Sequence, residues 1–92
     1  MDSITLGSIR YEWLGQSCVR MTAPGTVIYT DPVMLDNGPP VATLILITHH
    51  HVDHCLPEFV AHLRGEGTKI GAFHDSYIKH CVQEIKGART IK

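Results

Sequence analysis

Leu44-Ile45-Leu46-Ile47 constrains this chain more than any other segment: four consecutive apolar side chains run into Thr48 and then His49-His50-His51-Val52-Asp53-His54. Alternate side chains of a strand point to opposite faces, so a strand that is apolar throughout reads as buried on both. The chain is therefore expected to build a sheet around this strand and to end it at a polar cluster. Four side chains able to bind a divalent cation, His49, His51, Asp53 and His54, fall within six residues. His49 and His51 are two apart, so in an extended segment they face one side and two neutral imidazoles can chelate one cation. Asp53 and His54 are adjacent and suit a second, neighbouring cation or a supporting role. Imidazole and carboxylate favour zinc, iron, manganese or nickel over calcium or magnesium. The run lies mid-chain and is interrupted by Val52 and Asp53, unlike a terminal tag. The competing reading is a solvated polar loop.

The rest of the pattern is β first and alternating later. Ile4 to Leu6 reads as a short edge strand. Ile9, Tyr11 and Trp13 alternate with Arg10 and Glu12 as on a half-buried strand, which pairs with Cys18 to Thr22 across Gly15-Gln16. Ala23-Pro24-Gly25 is a turn by composition, and Thr26 to Thr30 is the next strand, ended by Asp31-Pro32 because proline lacks a ladder donor. Met34 to Pro40 is a loop. After the histidine cluster the period changes to about 3.6. Pro57 and Glu58 open a helix with Phe59, Val60 and Leu63 on its apolar stripe, closed by Gly65 or Gly67. Lys69 to Phe73 is a strand. Asp75 or Ser76 caps a second helix through Ile78, Cys81, Val82 and Ile85, ended by Gly87, and Arg89 to Lys92 begins a last strand. Strand, helix, strand, helix, strand implies right-handed crossovers and parallel pairing.

Ninety-two residues amount to one domain, residues 1–92. A chain of this size buries roughly 60–65% of its unfolded surface, so its core is modest. The 43% apolar content is that of a globular chain. Eight Lys and Arg against nine Asp and Glu give a formal charge of −1 with no basic run, which gives nucleic acid no electrostatic footing as a partner. No apolar stretch approaches membrane-spanning length. The three cysteines, Cys18, Cys55 and Cys81, are an odd number without close pairing, the usage expected of a reducing cytoplasm.

Thr48-His49-His50-His51-Val52-Asp53-His54 after an apolar strand resembles the signature of the metallo-β-lactamase superfamily. Tyr11-Glu12-Trp13-Leu14-Gly15-Gln16-Ser17-Cys18 followed by Val27-Ile28-Tyr29-Thr30-Asp31-Pro32 is similar to its opening hairpin and Asp-Pro strand. The likeness runs from about Ile9 to Lys92 and is nearest to the lactonase-like, metal-dependent hydrolases. It implies an α/β fold: half of an αββα sandwich, a mixed sheet with helices on one face. Family members are about twice as long, and their later half supplies a further His to each metal and a bridging Asp. The resemblance therefore implies a truncated, N-terminal half. In it His49 and His51 serve one metal, and Asp53 and His54 the other. Two protein ligands per metal fall short of the three or four that zinc sites use.

Zinc or another divalent transition metal, up to two ions, is the expected cofactor. If the site were complete, a metal-bound hydroxide would attack an ester- or lactone-like small-molecule substrate, with Asp53 as the catalytic residue orienting the water. The alternative is a non-catalytic metal-binding or assembly module, a remnant or a half-domain that dimerises. A homodimer, or a chain supplying the missing half, is the expected partner. By resemblance Asp31 lies beneath the metal loop and hydrogen-bonds it; otherwise it is a plain strand-ending aspartate. His74 follows a strand on the same sheet edge as His49 and is either an extra ligand or an ordinary loop histidine. Cys55 is a soft ligand or a small buried residue. His62 and His80 read as solvated, and the stripe of Tyr11 and Trp13 as core rather than a substrate platform.

Overall fold

The computed structural model describes residues 2–33, 35–48, 57–73 and 89–91. Its strands are β1 (Asp2–Leu6), β2 (Ile9–Gly15), β3 (Cys18–Ala23), β4 (Thr26–Thr30), β5 (Ala42–Ile47), β6 (Arg64–Phe73) and β7 (Arg89–Ile91), with helix α1 (Pro57–Leu63) between β5 and β6. They form one seven-stranded sheet in chain order. β1 to β4 are an antiparallel meander. From β4 onward the pairing is parallel. Short turns suffice for the first half, whereas parallel neighbours need crossovers, which is where the helical period enters the sequence. The expected second helix, between Asp75 and Gly87, lies outside the described residues.

One row across the sheet explains the core. Glu12 pairs with Arg20, Arg20 with Tyr29, Tyr29 with Ile45 and Ile45 with Ile70, and all five are buried. Val60 and Leu63 of α1 join Tyr29, Ile45, Ile47, Ile70, Ala72, Ala42 and Cys18 in a single apolar cluster. Leu14, Val27 and Leu35 pack against it. This is the covered face of the sheet.

The opposite face is open among the described residues, and here two expectations are corrected. Trp13 is 50% exposed and Tyr11 partly exposed, so this stripe is not core; Glu12, between them, is the buried residue of β2. Period-two alternation separates two faces but does not say which one is covered. Likewise β5 is not buried on both sides. Ile45 and Ile47 are fully buried, whereas Leu44 and Leu46 are partly exposed on the open face.

The end of the helix is a third correction. α1 stops at Leu63, ahead of both candidate glycines, because Arg64 already pairs with Ala42 of β5. Gly65 and Gly67 lie inside β6, where the register slips between Ala42 and Leu44. Gly67 takes φ +87° in this irregular stretch, a conformation glycine adopts without steric cost. Thr68 fastens the stretch: its hydroxyl donates to the Ala42 carbonyl at 2.6 Å and accepts from the Gly65 amide at 2.9 Å.

Candidate metal centre

The histidine cluster begins one residue after the last described residue of β5's end, and that end is held by Asp31. β4 and β5 are parallel, with Thr30 opposite Leu46, so both strands finish at the same sheet edge. Asp31 leaves β4 at φ 44°, in the left-handed region that aspartate tolerates better than most residues. Its amide still donates to the Leu46 carbonyl at 2.9 Å. The turn aims its carboxylate at Thr48, the residue directly before His49. Oδ1 accepts the Thr48 amide at 2.6 Å and Oδ2 accepts the Thr48 hydroxyl at 2.5 Å. Asp31 is only 3% exposed, and Pro32 and Val33 behind it are buried, so the clamp sits on a fixed base. A buried carboxylate accepting two bonds pins the backbone where the cluster starts.

His49, His51, Asp53, His54 and His74 lie outside the described residues, as do Cys55 and His80. The strands leading to them are described: Ile47 of β5 pairs with Ala72 of β6, so the chain runs toward His49 and toward His74 from neighbouring positions on one edge. Ligands in open sheets containing parallel strands are characteristically bound beyond the carboxyl ends of the strands. Among the described residues no three His, Cys, Asp or Glu side chains gather as a metal site. The chemistry of the donor set, imidazoles and a carboxylate following an anchored strand end, fits a divalent transition metal. His62, in the last turn of α1, is exposed, and with Leu35, Glu58 and Phe59 it lines a shallow cavity.

Sequence reasoning missed a second polar centre. Arg20 is buried on the covered face between two carboxylates. Its Nε and Nη2 donate to Glu12 Oε1 and Oε2 at 3.1 and 3.2 Å, and its Nη1 and Nη2 donate to Asp36 Oδ1 and Oδ2 at 2.9 and 2.8 Å. Its guanidinium carbon lies 5.8 Å from the centre of the Tyr29 ring. Asp36 foremost, and then Glu12, hold the Arg20 guanidinium charged, against the opposing effect of burial. The same contact with Arg20 lowers the Asp36 carboxyl below the ordinary aspartate value. Burial raises the Tyr29 hydroxyl, which donates to the Pro40 carbonyl at 2.7 Å. These bonds strap the segment after Asp31 across the covered face. The sequence offered one signal, an acid and a base on the two strands of one hairpin, but alternation set Glu12 on the face opposite Tyr11 and Trp13.

The parallel strands β4 and β5 thus end together at the Asp31–Thr48 clamp, directly before the His/Asp cluster of the sequence. A family model described as a beta-lactamase superfamily domain matches residues 10–90, and the chain belongs to that superfamily. The crystal structure of a candidate metal-dependent hydrolase from Parabacteroides distasonis is similar in fold, with a TM-score of 0.77 at 24% identity. The match covers 99% of this chain and 42% of that one, so this chain spans less than half its length. No protein of curated function matches this chain. No helix among the described residues is long and apolar enough to cross a membrane.

Proposed function

We propose that this chain carries the metal-loop half of a metal-dependent hydrolase acting on an ester- or lactone-like small molecule. The observation that carries the reading is the Asp31–Thr48 clamp: both Thr48 donors are fixed by one buried carboxylate, immediately before His49. His49 and His51 would hold one divalent transition metal, and Asp53 and His54 a second. When bound, such ions supply Lewis acidity and bring the ionisation of a water toward neutral pH. Asp53 would orient that water, and Asp31 would keep the loop in register with the sheet. The superfamily membership supports the hydrolase class, and the donor set supports a transition metal. Four ligands shared between two ions leave each short of a usual zinc shell, so full activity needs groups beyond these four.

The test is metal content after zinc-replete purification, together with hydrolysis of a panel of esters and lactones. The chain should bind metal that is lost in the His49→Ala, His51→Ala double variant. Unchanged metal content in that variant refutes the ligand assignment. Metal binding without hydrolysis favours the second reading, a metal-binding assembly module.

A further inference from the structure

We propose that Arg20 and Asp36 are positioning residues for the metal loop: their ion pair holds the segment after Asp31 on the covered face of the sheet and so keeps the Asp31 carboxylate locked on Thr48. The chain reverses at Asp31. β4 runs out to the sheet edge, yet by Asp36 the chain is back beside Arg20, which lies opposite Tyr29, two residues before Asp31. The Tyr29 hydroxyl holds the returning chain again at the Pro40 carbonyl, at 2.7 Å. The reversal falls on a residue at φ 44°, a region that side chains resist. Pro32 adds to the resistance, since the residue before a proline prefers an extended conformation. Asp31 therefore keeps this angle only while its surroundings hold it there. The same angle sends the chain back toward Arg20 and aims the carboxylate at both Thr48 donors. Loosening the returning chain thus loosens the clamp.

Among the described residues the segment between β4 and β5 has no helix or strand, and side chains fix it. Pro32 and Val33 are buried, and Leu35 packs against the apolar cluster. Arg20 supplies the polar anchor. Its side chain is 7% exposed, and its Nη1 and Nη2 donate to the two Asp36 carboxylate oxygens at 2.9 and 2.8 Å. Paired charge-assisted bonds of this kind fix direction as well as distance. Glu12 grips the same guanidinium from β2 and holds it to the sheet. The anchor is therefore rigid on the sheet side, and Asp36 is the point at which the returning chain takes hold of it. Asp36 follows Asp31 by five positions, with Pro32 and Val33 buried between them, so a fixed Asp36 leaves Asp31 few other angles. The Asp36 side chain is 31% exposed, so it can be replaced without opening the core.

The experiment compares wild type with Asp36→Ala, Arg20→Lys and Glu12→Gln on the full chain, in two readouts. The first needs no metal: amide exchange by NMR at Thr48, whose amide donates to Asp31 at 2.6 Å, against Ile45 and Ile70 in the core. The second is zinc affinity by chelator competition, and only this arm rests on the hydrolase reading. Asp36→Ala should speed Thr48 exchange by about 10-fold or more beyond any change at Ile45 and Ile70. It should weaken zinc binding by about 3- to 10-fold, less than the loss of a group that bonds the loop directly. Arg20→Lys keeps the charge but loses the planar fork, and should move both readouts in the same direction. Glu12→Gln alters the other side of Arg20 without touching the returning chain, and should spare Thr48 and zinc alike. Asp31→Gly removes the carboxylate and the backbone strain together, so adding Asp36→Ala to it should change zinc affinity by less than about 2-fold. A folded Asp36→Ala protein with wild-type Thr48 exchange, or with wild-type zinc affinity, overturns the proposal. So does equal acceleration at Thr48, Ile45 and Ile70, or a Glu12→Gln protein as altered as Asp36→Ala, since either marks a general loss of stability. A wild type that binds no zinc overturns the hydrolase reading instead, and Thr48 exchange alone then decides whether Arg20 and Asp36 hold the clamp.

Discussion

Replacing Asp31 tests the link between the fold and the metal loop most directly. The carboxylate accepts two bonds from Thr48 and is 3% exposed. Hydrogen bonds to a charged partner contribute about 1.5–3 kcal/mol each, and losing both at once, with partial rehydration of Thr48, puts Asp31→Ala at about 2–4 kcal/mol. The backbone adds to this. At φ 44° an alanine carries the left-handed penalty of about 1–2 kcal/mol, part of which aspartate already bears. The sum is about 3–5 kcal/mol, against a total stability of about 5–14 kcal/mol for a chain of this length. Asp31→Gly removes the strain but not the lost bonds and should be about 1 kcal/mol less damaging than Asp31→Ala. Asp31→Asn keeps one acceptor and the tolerated backbone, and should cost about 1–2 kcal/mol while weakening metal binding about 10- to 100-fold. Urea unfolding gives the stabilities, and competition with a zinc chelator gives the affinity. An Asp31→Ala protein within 1 kcal/mol of wild type would refute the clamp.

Arg20→Met leaves Glu12 buried without its main partner and should cost about 3–5 kcal/mol, whereas adding Glu12→Gln should recover part of that loss. Denaturation of the two single variants and the double variant measures the coupling, and strict additivity would show that the Glu12–Arg20 pair contributes nothing specific. The folded-state Asp36 carboxyl is lowered by Arg20, so its contribution is fully present above the unfolded value of about 3.9 and is lost as pH falls through the lower folded value. Thermal unfolding followed from about pH 6 down to 2.5 should show a shallower acid limb in Asp36→Asn than in wild type.

The local pattern along the chain was legible because it is written in periodicity. β2, β3, β4 and β5, the start of α1 and the switch from antiparallel to parallel pairing all follow from alternation, turn residues and a 3.6-residue period. The His49-to-His54 cluster and its attachment to the end of an apolar strand are also sequence properties, since ligand chemistry and spacing are local. Asp31 was legible as a residue near that loop only through the family resemblance. Its two bonds to Thr48 span seventeen positions and exist because β4 and β5 lie side by side. What the sequence could not decide is which face of a strand is covered. Alternation in β2 marked Tyr11 and Trp13 as one face and Glu12 as the other, and hydrophobicity alone assigned the wrong one to the core. Tertiary structure decided it: Arg20 neutralises Glu12, and Asp36 holds Arg20 in turn from the strap that follows Asp31, which makes burying a carboxylate feasible. The tryptophan is left on a face whose covering depends on a contact between elements, and no period within a single strand encodes that contact.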